Sequence, residues 1–172
     1  MELNVRRAEL RDAPAVSAVI EAAYRHDGLY GSDTRLYNLV KDETEHRILN
    51  TYVYIAENSA GVAVATRTLS FPGMGYRDIA EANEVEGRRL AVHPNYRGMS
   101  VTRLFLEQLT PIMIGMGVEG LVVSTGSQWQ TNNIFPRAGM VLNPSRQWWS
   151  EKLGQLMNVY TKDLVGALEM AI

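Results

Sequence analysis

The stretch that most limits how this chain can fold is Leu90-Ala91-Val92-His93-Pro94-Asn95-Tyr96-Arg97-Gly98-Met99-Ser100-Val101-Thr102. Its first three residues are apolar and suit a strand, Pro94 stops the ladder because it has no N–H to donate, and Gly98 turns the chain. From Met99 to Met116 the apolar residues Val101, Leu104, Phe105, Ile112, Met113 and Met116 fall on one helical face, with Pro111 expected to kink the helix. A strand that passes through an Arg-Gly turn into an amphipathic helix needs sheet and helix to share a core.

The rest of the chain agrees with that requirement. After a short apolar start at Leu3 to Arg7, residues Asp12 to His26 place Val16, Val19, Ile20 and Ala23 at helical spacing, with Asp12 as the expected cap and Pro14 in the first turn. Gly28 and Gly31 interrupt the pattern, and Asp33 is positioned to cap a second helix running through Leu36, Leu39, Val40 and Ile48. Tyr52-Val53-Tyr54-Ile55, the turn Asn58-Ser59-Ala60-Gly61 and the alternating Val62 to Leu69 read as a hairpin. Leu121-Val122-Val123 between Gly120 and Gly126 reads as a buried strand, and Leu156 to Leu164 as a last alternating one. Helices, then antiparallel-looking strands, then strand-helix-strand predict an α+β, or mixed α/β, fold in a single domain over residues 1–172.

Composition removes several kinds of chemistry. A chain of 172 residues with 46% hydrophobic and 21% charged residues has enough apolar surface to build a core. There is no cysteine, so disulfides, thiolate metal ligands and a cysteinyl acyl intermediate are excluded. Three scattered histidines predict no metal site, and no G-x-S-x-G elbow is present for a serine hydrolase. With 17 Lys+Arg against 19 Asp+Glu the net charge is −2, which gives no reason to expect nucleic acid. No apolar run approaches the roughly 20 residues that span a bilayer, and Met1 to Asp12 lacks a signal-peptide core, so no membrane and a cytoplasmic location are expected.

The Arg97–Gly98 turn is where chemistry is expected. At a helix start the first backbone N–H groups have no intrahelical acceptor and the macrodipole is positive, so a diphosphate can bind there, with Arg97 and Arg103 adding charge-assisted bonds. The same residues also suit a plain turn, with Ser100 capping a core helix and the arginines facing water.

The run resembles the acyl-CoA-binding motif of the GNAT superfamily of N-acyltransferases, R/Q-x-x-G-x-G/A after a strand reading L-A-V-x-P. Arg97 matches its first position, while Ser100 stands in place of the first motif glycine and Thr102 in place of the second. The order of elements is similar as well, down to Phe135-Pro136-Arg137-Ala138-Gly139-Met140, which resembles the superfamily's Y-x-x-x-G-F ending. Glu86-Gly87-Arg88-Arg89-Leu90-Ala91-Val92 also resembles the E-x-x-R-F-x-V strand of acyl-homoserine lactone synthases. Ser124 to Trp149, with Arg146 and Trp148, is more similar to small bacterial stand-alone acetyltransferases.

The resemblance implies a central, mostly antiparallel twisted sheet of six to seven strands with flanking helices, and acetyl-CoA as donor without a metal. It implies donor contacts at Leu90, Ala91, Val92, Arg97, Gly98, Met99, Ser100, Val101, Thr102 and Arg103, with a backbone N–H near Leu90 to Val92 meeting the developing oxyanion. An alkyl ammonium with a pKa near 10.4 has to lose a proton before it can attack, so a base is expected. Glu86 occupies the family's position for it, Glu84 lies on the same strand face, and a structural pairing of Glu86 with Arg88 or Arg89 is the competing role. Phe135 stands where the family often has a tyrosine acid; a thiol with a pKa of about 8.5 can leave as thiolate without one. Tyr24, His26, Tyr30 and Tyr37, on and between the first two helices, are the candidate acceptor contacts, and packing is their alternative use. The acceptor is expected to be an amine of a small molecule or peptide, and a homodimer is compatible with the exposed Trp and Met content. A non-catalytic acyl-CoA sensor and an enzyme using longer acyl-CoA or acyl-carrier-protein donors are the alternative functions.

Overall fold

A computed structural model of the chain describes residues 2–26, 35–74, 79–127, 133–151 and 154–166, with the side chains of 35–42 outside that description. These residues form two compact units that the chain visits alternately: Met1–Leu69 with Arg89–Phe105, and Ser70–Arg88 with Leu106–Ile172. Hydrogen bonding orders the strands β1-β2-β3-β4-β5-β8-β6, with β7 also on β8.

The first unit contains β1 (Asn4–Arg7), α1 (Ala13–His26), α2 (Arg35–Asn50), β2 (Tyr52–Glu57), nearly all of β3 (Ala63–Ser70), the end of β4 (Glu84–Val92) and the start of α3 (Val101–Gly115). Its core is the apolar stripe expected from the 12–26 pattern. Val16, Val19, Ile20 and Ala23 of α1 pack with Ile48 of α2, Val53 and Ile55 of β2, and Ala91 of β4. Burying each of the larger side chains contributes about 1.5–3 kcal/mol, which outweighs the modest propensity of a valine- and isoleucine-containing helix. The predicted hairpin is present, with Val53 opposite Thr68, Tyr54 opposite Arg67 and Ile55 opposite Thr66. One expectation changes. Asp12 ends a 3-10 turn, Leu10–Asp12, and its carboxylate accepts from the Glu9 N–H at 2.8 Å and from Arg6 at 2.7 Å instead of capping α1. Arg6 reaches Glu57 as well, at 2.7 Å, so one guanidinium ties β1 to the α1 approach and to the end of β2.

The second unit is built around β5 (Gly120–Gly126). It pairs parallel with β4 at Glu84–Gly120, Val85–Leu121 and Glu86–Val122, and antiparallel with β8 (Gln155–Asp163) from Gly120–Asp163 to Gly126–Met157. The apolar run read as a buried strand is one: Leu121 and Val122 are 0% exposed. The parallel pairing ends at Glu86–Val122 although β5 continues to Gly126. A short α4 (Ile134–Arg137) precedes β6 (Val141–Leu142), and β7 (Trp148–Ser150) lies against β8. Among the described residues the sheet has eight strands against the six to seven expected, because β6 and β7 are too short to show any periodicity in sequence. Pro111 lies inside α3, which runs through it to Gly115. Among the described residues no helix is long and apolar enough to cross a membrane.

Candidate active site

The β4–α3 connection has the form the sequence predicts. Pro94–Tyr96 makes a 3-10 turn, Gly98 and Ser100 both take left-handed backbone (φ 77° and 57°), and α3 begins at Val101. A glycine adopts this conformation without cost, whereas a serine is strained by roughly 1–2 kcal/mol. The first bond of the helix runs from the Leu104 N–H to the Ser100 carbonyl at 3.0 Å, so the amides just before it have no acceptor within the helix. Gly98, Met99 and Ser100 are exposed, and a Cβ added at Gly98 would meet nothing within 4 Å. Val101 is buried and anchors the helix start; Thr102 is half-buried and Arg103 exposed.

Arg97 points away from the exposed side of this turn. Its guanidinium donates to the Ala23 carbonyl and to His26 Nδ1, each at 3.1 Å, at the end of α1. An arginine can only donate, so Nδ1 of His26 is the acceptor in this contact. Two residues placed by sequence at different subsites, Arg97 on the donor and His26 on the acceptor, are thus in contact. Arg97 fixes the turn to α1, and the backbone N–H groups are left to meet an anion.

Eight residues earlier in the same unit, Arg89 takes left-handed backbone (φ 44°) inside β4, which continues through it to Val92. A non-glycine residue held in this region stores local backbone strain. The Arg89 guanidinium is bound to Glu43 of α2, which also pairs with Arg47. Burial raises the Glu43 carboxyl, but the two guanidinium groups outweigh it and hold it below the ordinary carboxylate value.

The candidate bases lie in the second unit on the first half of β4. Glu86 is 5% exposed and accepts from Arg88 at 2.6 Å. Glu84 is bound by two groups. Arg146 donates to both of its oxygens, at 2.9 and 2.8 Å, and the Glu81 N–H to one of them at 2.9 Å. Burial raises its carboxyl, and the Arg146 bonds and the Glu81 amide reverse that, leaving it below the usual value. Phe135 is buried and packs on the Tyr160 ring at 5.5 Å between centroids. Tyr24 is half-buried against the α1 core; Tyr30 lies outside the described residues, as does the side chain of Tyr37.

Sequence reasoning missed Arg67. An arginine in the alternating run Val62 to Leu69 reads as a solvated side chain, yet here it is 1% exposed. None of its three guanidinium nitrogens has a hydrogen-bond partner among the described residues. Burial pushes its pKa down to about 10, which still leaves it charged at neutral pH. An uncompensated buried charge costs several kcal/mol, so this is an expensive feature of the fold. The available signal was negative: the run 62–69 contains no acidic residue to neutralise it.

No protein-family model matches the sequence, and no curated protein matches it either. Solved structures do. A GNAT-family acetyltransferase from Staphylococcus aureus aligns over 95% of this chain and 99% of its own, with TM-score 0.69 and 14% identity. The PaiA N-acetyltransferase of Thermoplasma acidophilum, solved in complex with coenzyme A, aligns over 92% and 98%, with TM-score 0.69 and 13% identity. The chain has the GNAT fold. A ribosomal-protein-S18-alanine N-acetyltransferase from Escherichia coli shares the GNAT fold at TM-score 0.66 and 13% identity, over 95% of this chain and 94% of its own. The strained Arg89 in β4 and the turn at Gly98–Ser100 are the local features on which a functional reading of this GNAT fold depends.

Proposed function

We propose that the protein is an N-acetyltransferase that takes the acetyl group of acetyl-CoA and passes it directly to an amine. The observation that carries this reading is the exposed turn at Gly98–Ser100, with two left-handed residues and a helix start behind them. Successive amides in such a turn form an anion-binding concavity, and the helix dipole adds to it. Diphosphate fits this chemistry, and Ser100, at the first non-glycine motif position, adopts the conformation a glycine would. Toward the other end of the segment, the backbone N–H groups of Leu90 to Val92, just after the strained Arg89, are the proposed donors to the acyl oxygen. A donor of that kind contributes about 3 kcal/mol to acyl transfer.

Acetyl-CoA supplies the activated acyl group. The amine nitrogen forms a bond to the acyl carbon as the carbon–sulfur bond breaks, sulfur leaves as thiolate, and the amine proton passes to a base. Glu86, buried on β4 beside Arg88, is the proposed base, with Glu84 on the same strand face held by Arg146 and the Glu81 amide. Absence of cysteine agrees with direct attack in a ternary complex. Titration calorimetry with acetyl-CoA, followed by thiol-release assays over a panel of amines, tests the proposal. Binding heat and amine-dependent thiol release are expected; no heat together with no thermal stabilisation at high acetyl-CoA overturns it.

A further inference from the structure

Arg67 belongs to a row of residues that crosses the first unit. Arg7 of β1 is opposite Tyr54 of β2, and Tyr54 is opposite Arg67 of β3. Directly opposed residues share a face of the sheet. This is the face away from α1, because Val53 and Ile55, on either side of Tyr54, are the ones packed in the α1 core. β4 extends the row. The His93 N–H bonds the Val64 carbonyl at 2.8 Å, and counting back along this antiparallel pair brings Leu90 beside Arg67. Ala91, one residue on, is in the α1 core, which agrees with Leu90 facing the other way.

Adjacent strands are about 4.8 Å apart, so Arg67 stands one strand from the backbone that the proposed function uses for the acyl oxygen. A guanidinium is a planar fork that matches a carboxylate with two parallel bonds. Here it is shielded from water with its charge unanswered, and burial strengthens any bond an arriving anion makes. Tyr54 is its neighbour in the row on one side, Arg7 lies one strand further out with its guanidinium over the Tyr52 ring, and no carboxylate among the described residues bonds to Arg67.

We propose that Arg67 is the specificity residue of the acceptor site and binds a carboxylate of the acceptor, so that the substrates are amino acids carrying the reacting amine one or two carbons from that carboxylate. The inference rests on the acetyltransferase reading above. It accounts for an otherwise unopposed cation: the anion that completes it arrives with the substrate.

Two measurements test it. In the first, thiol release from acetyl-CoA is followed with a set of amino acids and with the amine that each becomes on loss of its carboxylate. For the natural chain kcat/KM is expected to fall by about 100-fold when the carboxylate is absent, because Arg67 is then left unpaired. In Arg67→Met the two members of each pair become nearly equal, and in Arg67→Lys an intermediate preference returns. Discrimination that persists in Arg67→Met, or none in the natural chain, overturns the proposal. The second measurement needs no turnover: thermal unfolding in sodium acetate against sodium chloride at equal ionic strength. Acetate is expected to stabilise the natural chain and not Arg67→Met; equal protection by chloride, or none by either, overturns the carboxylate assignment. Failure of acetyl-CoA itself to bind appears separately in calorimetry and counts against the catalytic reading, while the unfolding result still decides the anion site.

Discussion

Two residues, Arg89 and Ser100, take left-handed backbone although neither is glycine, and they are held in different ways. Arg89 is secured by a charged partner, Glu43 on α2, and lies inside a strand. Ser100 is exposed, and the first bond of α3 fixes its carbonyl. Strain that survives in a fold usually does so at functional positions, because elsewhere a better residue is easily substituted. The difference suggests a division of work along the segment from β4 to α3. Under the proposed function, Arg89 would set the backbone facing the acyl group and Ser100 the amides facing the diphosphate.

The largest effect expected concerns the chemical end. Glu86→Gln is expected to lower kcat by about 100-fold or more while the Kd for acetyl-CoA stays the same. A loss of binding in place of turnover would erase the division. At the other end, Ser100→Val introduces a β-branched residue that resists φ 57°, and a penalty of about 1–2 kcal/mol converts to a roughly 10-fold weaker Kd for acetyl-CoA, measured by calorimetry.

Glu43→Gln removes the charge that secures Arg89. It is expected to reduce kcat by about 3-fold to 10-fold, at a cost of about 1 kcal/mol, without changing acetyl-CoA affinity. A change in affinity alone would place Arg89 on the binding side. Ser100→Gly relieves strain and is expected to raise the melting temperature by about 2–4 °C, the shift that about 1 kcal/mol produces in a chain of this size. Arg89→Gly relieves similar strain but gives up the Glu43 pair, so it is expected to gain less or to lose stability, as calorimetric unfolding would show.

Acid separates the two sites more gently. Glu43 titrates lower when folded than when unfolded, so its contribution is complete above the ordinary carboxylate value of 4.5 and fades as pH falls toward the depressed one. Asp12 serves as a reference. Hydrogen bonds from Arg6 hold it down from 3.8 to about 2, so its share of stability is present above 3.8 and is lost as pH falls from there to about 2. Unfolding profiles of Asp12→Asn and Glu43→Gln are therefore expected to converge on the natural chain's profile at low pH, with the Ser100→Gly increment unchanged throughout.

Much of this fold was legible because its pattern is periodic. The stripe Val16, Val19, Ile20, Ala23 and the run Leu121-Val122-Val123 declare their burial, and Pro94 with Gly98 declares a strand end and a turn. Arg67 was hidden for a physical reason. β3 is covered on both faces, which turns an alternation that normally separates core from solvent into burial for every residue from Val64 to Ser70. The contacts of Arg97 with Ala23 and His26 were not legible, because motif spacing specifies a residue's position in the chain and says nothing of where a long side chain finds its acceptors. The ion pairs Glu43–Arg89 and Glu84–Arg146 join residues 46 and 62 positions apart, a separation no local pattern reports.

The outermost strand has a consequence for how copies of this protein meet. β1 is four residues long, ends in consecutive arginines, and has one of them locked to Asp12 and Glu57. A stranger seeking to lengthen the sheet there finds little backbone to zip onto and a cationic lip at Arg7, so that flank is defended against fibril-like growth.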